Sequence, residues 1–391
     1  MIRQTIGGRL AHDIRNRGLT AWLLFGLLSG FYVVLYFGVD YGHPQTGVER
    51  AQAWLYGTFT VHLDAFGAQW LSFGSAESGL SYAGNRWTLY ALLYTLAMLV
   101  GGAWMFHRYR HNPYQMVRTF SVLFLQVSFA FSVPILLKFF GHPEYYFSYL
   151  WPLKIEYLDP AHFEYFGEIL VLYAFFASLV LTPLLGLLWG KRWYCSWVCG
   201  CGGLANTAGE PWRHLSQKGS TAWRFEKFAV HGVLLIAVAS TALWFASALL
   251  PEGSAVGGWA EGTRRWYGLV VVAGLSGAVG TGLYPIGGTR IWCRYFCPMA
   301  AILGLVQKAG RFRIRVKRNM CISCGLCSKY CEMGIDVRAY AQANRDFVRA
   351  SCVGCGLCAE VCPRGVLRLE NVRRRDPQEL TLDSLADGSW R

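Results

Sequence analysis

Six stretches of this chain run for about twenty residues with scarcely a charge in them, and few folds are open to a chain built that way. They cover approximately residues 19 to 38, 87 to 106, 120 to 140, 167 to 189, 228 to 250 and 266 to 284. Each is long enough for a helix to cross roughly 30 Å of hydrocarbon. Helices buried in a large soluble protein keep a polar face, and these show almost none. Composition agrees: 54% of residues are hydrophobic and 15% charged, with mean hydropathy +0.28. The lead "MIRQTIGGRLAHDIRNRG" is polar and basic, and the apolar run behind it is of full span length, so that run reads as an anchor rather than a cleaved leader.

Lys and Arg exceed Asp and Glu by fourteen, and the excess is unevenly spread. The N-terminal tail holds four, residues 107 to 119 three, 190 to 227 six and 285 to 391 eighteen, while the alternate loops (39 to 86, 141 to 166, 251 to 265) hold five together. The positive-inside rule then puts both termini, and every cysteine, on the cytoplasmic side of a multi-pass inner membrane protein. The opposite loops are acidic and aromatic, as expected against the outer interface. Lys138 and Glu168 sit at segment ends, where a charge reaches the interface.

Thirteen cysteines on a reducing face point to metal or redox use rather than a disulfide framework. Eight form one pattern written twice. "CISCGLCSKYC" supplies Cys321, Cys324, Cys327 and Cys331, and "CVGCGLCAEVCP" supplies Cys352, Cys355, Cys358 and Cys362. In the bacterial ferredoxin run the fourth cysteine ligates the other cluster. Two [4Fe-4S] clusters are therefore expected, one on Cys321, Cys324, Cys327 and Cys362, the other on Cys352, Cys355, Cys358 and Cys331. Gly325 and Gly356 fall at matching places where the backbone must turn tightly. C-x2-C is also a zinc spacing, but four cysteines so spaced and repeated after 20 residues favour clusters. Glu332 stands where the first run would usually carry proline.

The other five cysteines are also repeated. "KRWYCSWVCG" and "TRIWCRYFCP" each place an Arg, an aromatic and a C-x3-C pair at the end of a cytoplasm-bound segment, with Cys195 and Cys293 98 residues apart. Each leads into small residues that suit a helix start, and Pro298 suits a first helical position, which puts Cys297 at an N-cap. A thiol at a helix N-terminus beside Arg has a lowered pKa, with Arg192 and Arg294 as the expected cations. Cys195, Cys199, Cys201, Cys293 and Cys297 are thus candidate redox thiols or ligands of an additional metal. Spacing leaves open whether they bind metal, cycle as dithiols or are buried small hydrophobes.

Other chemistries find no support. Only His231 lies within a span, so transmembrane haem lacks ligand pairs; it reads as a packing histidine. Interior acids and bases of the kind that line ion pathways are missing. The glycines of 266 to 284 read as close helix packing. The basic run "KAGRFRIRVKR", Lys308 to Arg318, is expected to rest on anionic lipid headgroups rather than nucleic acid.

Together, residues 165 to 370 resemble the polytopic membrane ferredoxin proteins of the NapH, NosR and CcoG type. The resemblance rests on the two C-x3-C motifs at span ends and the doubled ferredoxin run. It implies electron movement between the quinol pool or a cytoplasmic donor and a respiratory enzyme or its maturation machinery, with reduction of Cu(II) to Cu(I) suggested for the copper-handling branch. The family pattern is C-x3-C-P twice; here the first copy reads Cys199-Gly200-Cys201, and the extra thiol adds a ligand or a resolving cysteine. The longest outer loop, 39 to 86, has only 48 residues, too few for the flavin domain of NosR.

The expected fold is an α-helical integral membrane protein of six transmembrane helices with a small α+β bacterial-type 2[4Fe-4S] ferredoxin domain. Its parts would be a cytoplasmic tail (1 to 18), a membrane domain (19 to 310), the ferredoxin domain (311 to 372) and a polar tail (373 to 391). The expected function is electron relay by a subunit rather than a stand-alone enzyme, with membrane lipid, redox proteins of membrane or cytoplasm, and quinol as partner classes. Metal handling by the C-x3-C thiols and a non-catalytic assembly role are the rivals.

Overall fold

The computed structural model describes residues 6–37, 58–75, 80–158, 167–250 and 254–372. Residues 1–5, parts of the loops 39 to 86, 141 to 166 and 251 to 265, and the tail from 373 onward lie outside the described residues. Five helices are long and apolar enough to cross a membrane: Leu19–Tyr36, Arg86–Arg108, Pro113–Phe139, Glu168–Trp189 and Ser220–Ala248. Their outward faces are apolar, with Leu23, Leu27, Ile169 and Leu235 among the exposed side chains.

Local chemistry sets where these helices start and how they bend. Asn85 caps the second through Trp87 and Thr88 amides, and Thr88 reciprocates. Asn112 caps the third, with Pro113 where no amide is needed. Two helices widen into π-helical turns just before a proline, Gln126–Ser132 ahead of Pro134 and Ala177–Leu181 ahead of Pro183. Proline has no N–H and crowds the preceding turn, and the wider turn relieves both.

The sixth apolar segment falls outside these five. Helix Ala255–Trp266 passes into π-helical Tyr267–Thr281. Its glycines do allow close packing: a Cβ on Gly277 would lie 2.6 Å from the Tyr32 ring, and one on Gly282 would lie 2.1 Å from Ser29 Oγ. His231 hydrogen-bonds the Lys227 carbonyl of its own helix.

The basic segments gather at one end of the helices. Arg17 donates to the carbonyls of Ile286 (2.7 Å) and Leu215 (3.0 Å), Trp212 donates to Ile14 (2.9 Å), and Arg108 pairs with Glu210 (3.4 Å). At the other end Lys138 pairs with Glu144 (3.1 Å) and Arg264 with Glu156 (3.1 Å).

Residues 311–372 sit on the basic end. Strands Phe312–Val316 and Leu367–Asn371 pair antiparallel, from Phe312 opposite Asn371 to Val316 opposite Leu367. The first strand corrects the reading of the basic run as a lipid-facing stretch. Phe312, Ile314 and Val316 are buried, while Arg315 on the alternate face pairs with Glu370 at 2.9 Å. Alternation of period two is the mark of a half-buried strand. The buried core continues without a break from Tyr194 and Leu303 of the helical part to Phe347 and Leu367.

Candidate functional site

Each cysteine run wraps a loop and then makes one short helix, Leu326–Lys329 or Leu357–Glu360. Both helices follow a glycine in the left-handed region, Gly325 at φ 77° and Gly356 at φ 78°, where a side chain is disfavoured. Four residues of helical rise, about 6 Å, carry the fourth cysteine away from its own loop. It arrives at the other one.

One cavity is lined by Cys321, Cys324, Cys327 and Cys362, and a second of similar size by Cys352, Cys355, Cys358 and Cys331. Apolar side chains make up much of the remaining walls, Val366 and Leu367 in the first and Ile314, Val337 and Phe347 in the second. Among the described residues no three His, Cys, Asp or Glu side chains converge tightly enough for a single metal ion. The thiols surround a space, which suits a multinuclear cluster better than zinc. Burial pushes Cys352 and Cys355 up to about 12, so only a strongly positive centre would draw thiolate character from them. The donor set fits [4Fe-4S] ligation.

The second cavity is held against the helix ends by hydrogen bonds to its loop carbonyls. Tyr114 donates to Gly354 (2.7 Å), Gln115 to Cys355 (2.9 Å), Ser196 to Val353 (2.7 Å) and Gln307 to Cys352 (2.9 Å). The first cavity faces outward, with Ile322, Ser323 and Cys324 exposed.

Glu332, in the place of the usual proline, is fully buried and lies 3.0 Å from Arg290 and 3.6 Å from Arg213. Burial pulls its carboxyl upward, but Arg290, Arg213 and Arg118 outweigh that and hold it below the usual carboxylate range. Arg290 extends the connection. Its Nη1 donates to the Cys195 carbonyl (3.3 Å) and lies 3.6 Å from Cys293 Sγ.

The two C-x3-C motifs therefore meet. Cys195, Cys293 and Cys297 share one buried cluster, and Cys199 and Cys201 pack against it. Gly202 makes the approach possible, since a Cβ there would lie 2.0 Å from the Cys195 carbonyl oxygen. Cys297 is the N-cap of Pro298–Ala309, its sulfur accepting from the Ala300 amide at 3.4 Å. Its thiol is nevertheless not activated, because burial pushes its pKa up. The thiol with a lowered pKa is Cys199. A hydrogen bond from Cys201 lowers it against the opposing effect of burial, with help from the Gly202 and Cys201 amides.

The expected cations were also wrong. Arg192 lies over the Phe312 ring (5.0 Å), and Arg294 pairs with Glu226 (2.7 Å). The thiols face Arg290 and Lys191 instead. Arg290 and Arg192 occupy the same position of the repeat, three residues before the first cysteine, so spacing alone could not choose between them. In metal-free protein, Cys199 should react with a small alkylating reagent along a pH curve whose midpoint lies below that of an ordinary thiol. Cys201→Ala should move that midpoint upward; an unmoved midpoint would show that Cys201 is not the donor that matters.

A family described as "4Fe-4S dicluster domain" matches residues 314–369, and one described as "4Fe-4S binding domain" matches residues 171–218 and again 267–317. The second covers both C-x3-C motifs. YccM of Escherichia coli (strain K12), described as a candidate electron transport protein, is 46% identical over 46 residues, 12% of this chain and 13% of its own length. An uncharacterised protein of Methanocaldococcus jannaschii is 31% identical over 55 residues, 14% of this chain and 21% of its own. The matched region thus spans no more than 21% of these curated relatives. No solved structure matches the chain. The chain carries 4Fe-4S binding domains, and these support an electron-transfer role.

Proposed function

We propose that this is an inner-membrane electron-transfer protein of the NapH, NosR and CcoG type. It would stand between a quinol or cytoplasmic donor and a respiratory or metal-site maturation partner. Cys321, Cys324, Cys327 and Cys362 would hold one [4Fe-4S] cluster, and Cys352, Cys355, Cys358 and Cys331 the other. Each cluster, when bound, carries one electron at a time. The observation that carries this reading is the exchange of the fourth cysteine between two cavities of nearly equal size.

The chain's own residues do the positioning. Tyr114, Gln115, Ser196 and Gln307 fix the inner loop on the helix ends. The apolar walls exclude water from the buried sulfurs. Six crossings are part of the proposal. Arg264 pairs with Glu156 at one end and Arg290 with Glu332 at the other, which supports a sixth crossing by the chain between them. The basic end would be cytoplasmic.

Purified protein should contain about eight iron atoms per chain and, when reduced, show the EPR of two interacting centres. About four irons, or stoichiometric zinc, would sink the reading. The contact of the two C-x3-C motifs through Arg290 supports a second use of the molecule, soft-metal handling such as reduction of Cu(II) to Cu(I).

A further inference from the structure

The basic run Lys308 to Arg318 folds partly into a strand, and another group of cations stands where the helices begin. Helices Leu19–Tyr36 and Ser220–Ala248 start at the same end, and the segments just before them touch: Arg17 donates to the Leu215 carbonyl (3.0 Å) and Trp212 to that of Ile14 (2.9 Å). An open cleft there is lined by His12, Arg15, Asn16 and His214, with Lys329 and Tyr330 of the cluster unit completing the wall. Three separate parts of the chain thus bring basic side chains to one opening. No carboxylate lines it. The acids of the region are engaged elsewhere: Asp13 accepts from the Thr20 amide (2.8 Å), Glu210 pairs with Arg108 and Glu332 with Arg290. Among the described residues neither Arg15 nor Lys329 makes an ion pair. Partial burial, and after it Arg15, Lys329 and Lys218, hold the His214 ring below its ordinary pKa. Lys218 donates to the carbonyls of His214 (3.2 Å) and Ser216 (2.7 Å), which keeps its ammonium beside the ring. Like charges gathered in this way repel, and an anion in the cleft relieves them.

We propose that this cleft binds the phosphate of an anionic membrane lipid, with Arg15 and Lys329 as its charged contacts and Asn16 and Tyr330 as further hydrogen-bond donors. This rests on the reading of the two helices as membrane crossings. Depth favours a lipid over a soluble anion. Arg15 and Asn16 stand four and three residues before Leu19, and His214 six before Ser220, which is headgroup level for helices that cross. Next along the first helix Leu19, Trp22 and Leu23 are exposed, an apolar face for acyl chains with a tryptophan where the interface favours one. A phosphate diester is negative at every ordinary pH, so it serves the cations without a proton transfer. Each basic residue near an anionic headgroup is worth about fivefold in binding. Lys329 belongs to the cluster unit and Arg15 to the segment before the first helix, so one bound headgroup would tie the two together. The lipid is a structural ligand there and takes no part in electron transfer.

The test is native mass spectrometry and thermal melting of the full-length protein in a neutral detergent, with phosphatidylglycerol, phosphatidylcholine or inorganic phosphate added separately. Phosphatidylglycerol should be retained in preference to phosphatidylcholine and should raise the melting temperature, and millimolar inorganic phosphate should not. Arg15→Gln should weaken retention about fivefold, and Arg15→Gln combined with Lys329→Gln about thirtyfold, with the iron content of the parent. Arg15→Lys keeps the charge and should keep the lipid, which separates loss of binding from a folding defect. Arg345→Gln, outside the cleft, should change nothing. Equal retention of the two lipids, a double variant that holds phosphatidylglycerol like the parent, or binding of inorganic phosphate without the lipid would overturn the inference alone. Release of the chain from native membranes by alkaline carbonate would overturn the membrane reading beneath it and the inference with it.

Discussion

Glu332→Gln should destabilise the protein by about 3–5 kcal/mol, because it strips the carboxylate from a fully buried pair and leaves Arg290 and Arg213 uncompensated. That is a large part of an ordinary folding stability of about 5–15 kcal/mol. Glu332→Pro, which restores the residue usual at this place in the run, should do no better, since the carboxylate is still lost. A thermal melt in detergent would measure both. As a comparison, Arg345→Gln changes an exposed residue and should stay within about 0.5 kcal/mol. If Glu332→Gln melts with the wild type, the pair does not hold the cluster unit to the helices.

The second large effect concerns the joint thiol site. Cys195 and Cys293 are brought together through Arg290, which touches the carbonyl of one and the sulfur of the other. Combined Cys195→Ser and Cys293→Ser removes one thiol from each motif and leaves the eight ferredoxin cysteines in place. Both clusters should still assemble, with the iron content of the parent. Reoxidation of the dithionite-reduced protein by its native membranes should fall to the rate seen without those membranes. Serine is close to cysteine in size, so a packing role alone would leave that rate unchanged. A double variant that is reoxidised as fast as the parent would reduce these five cysteines to small buried hydrophobes.

Much of the architecture could be read from local pattern. Hydropathy marked the five helices long and apolar enough to cross a membrane, and the asparagines before Arg86 and Pro113 are ordinary helix starts. Charge count and alternation compete in the segment that follows Gly310. In Phe312–Val316 the charges suggest a basic surface patch, while the alternation of period two specifies a half-buried strand.

The sequence by itself determined the number of thiols, their spacing, and so the chemistry open to them, because a ligand loop is specified within a dozen residues. Only the tertiary structure decided which thiol is poised and which cation serves it. Cys297 has the expected N-cap and Cys199 has the lowered pKa; Arg192 has the expected place in the motif and Arg290 has the contact. The pairs responsible lie 42 residues apart for Arg290 and Glu332, and 95 for Arg290 and Cys195. Burial and charge are set by what packs alongside, and over such separations no local pattern in the chain encodes the neighbour.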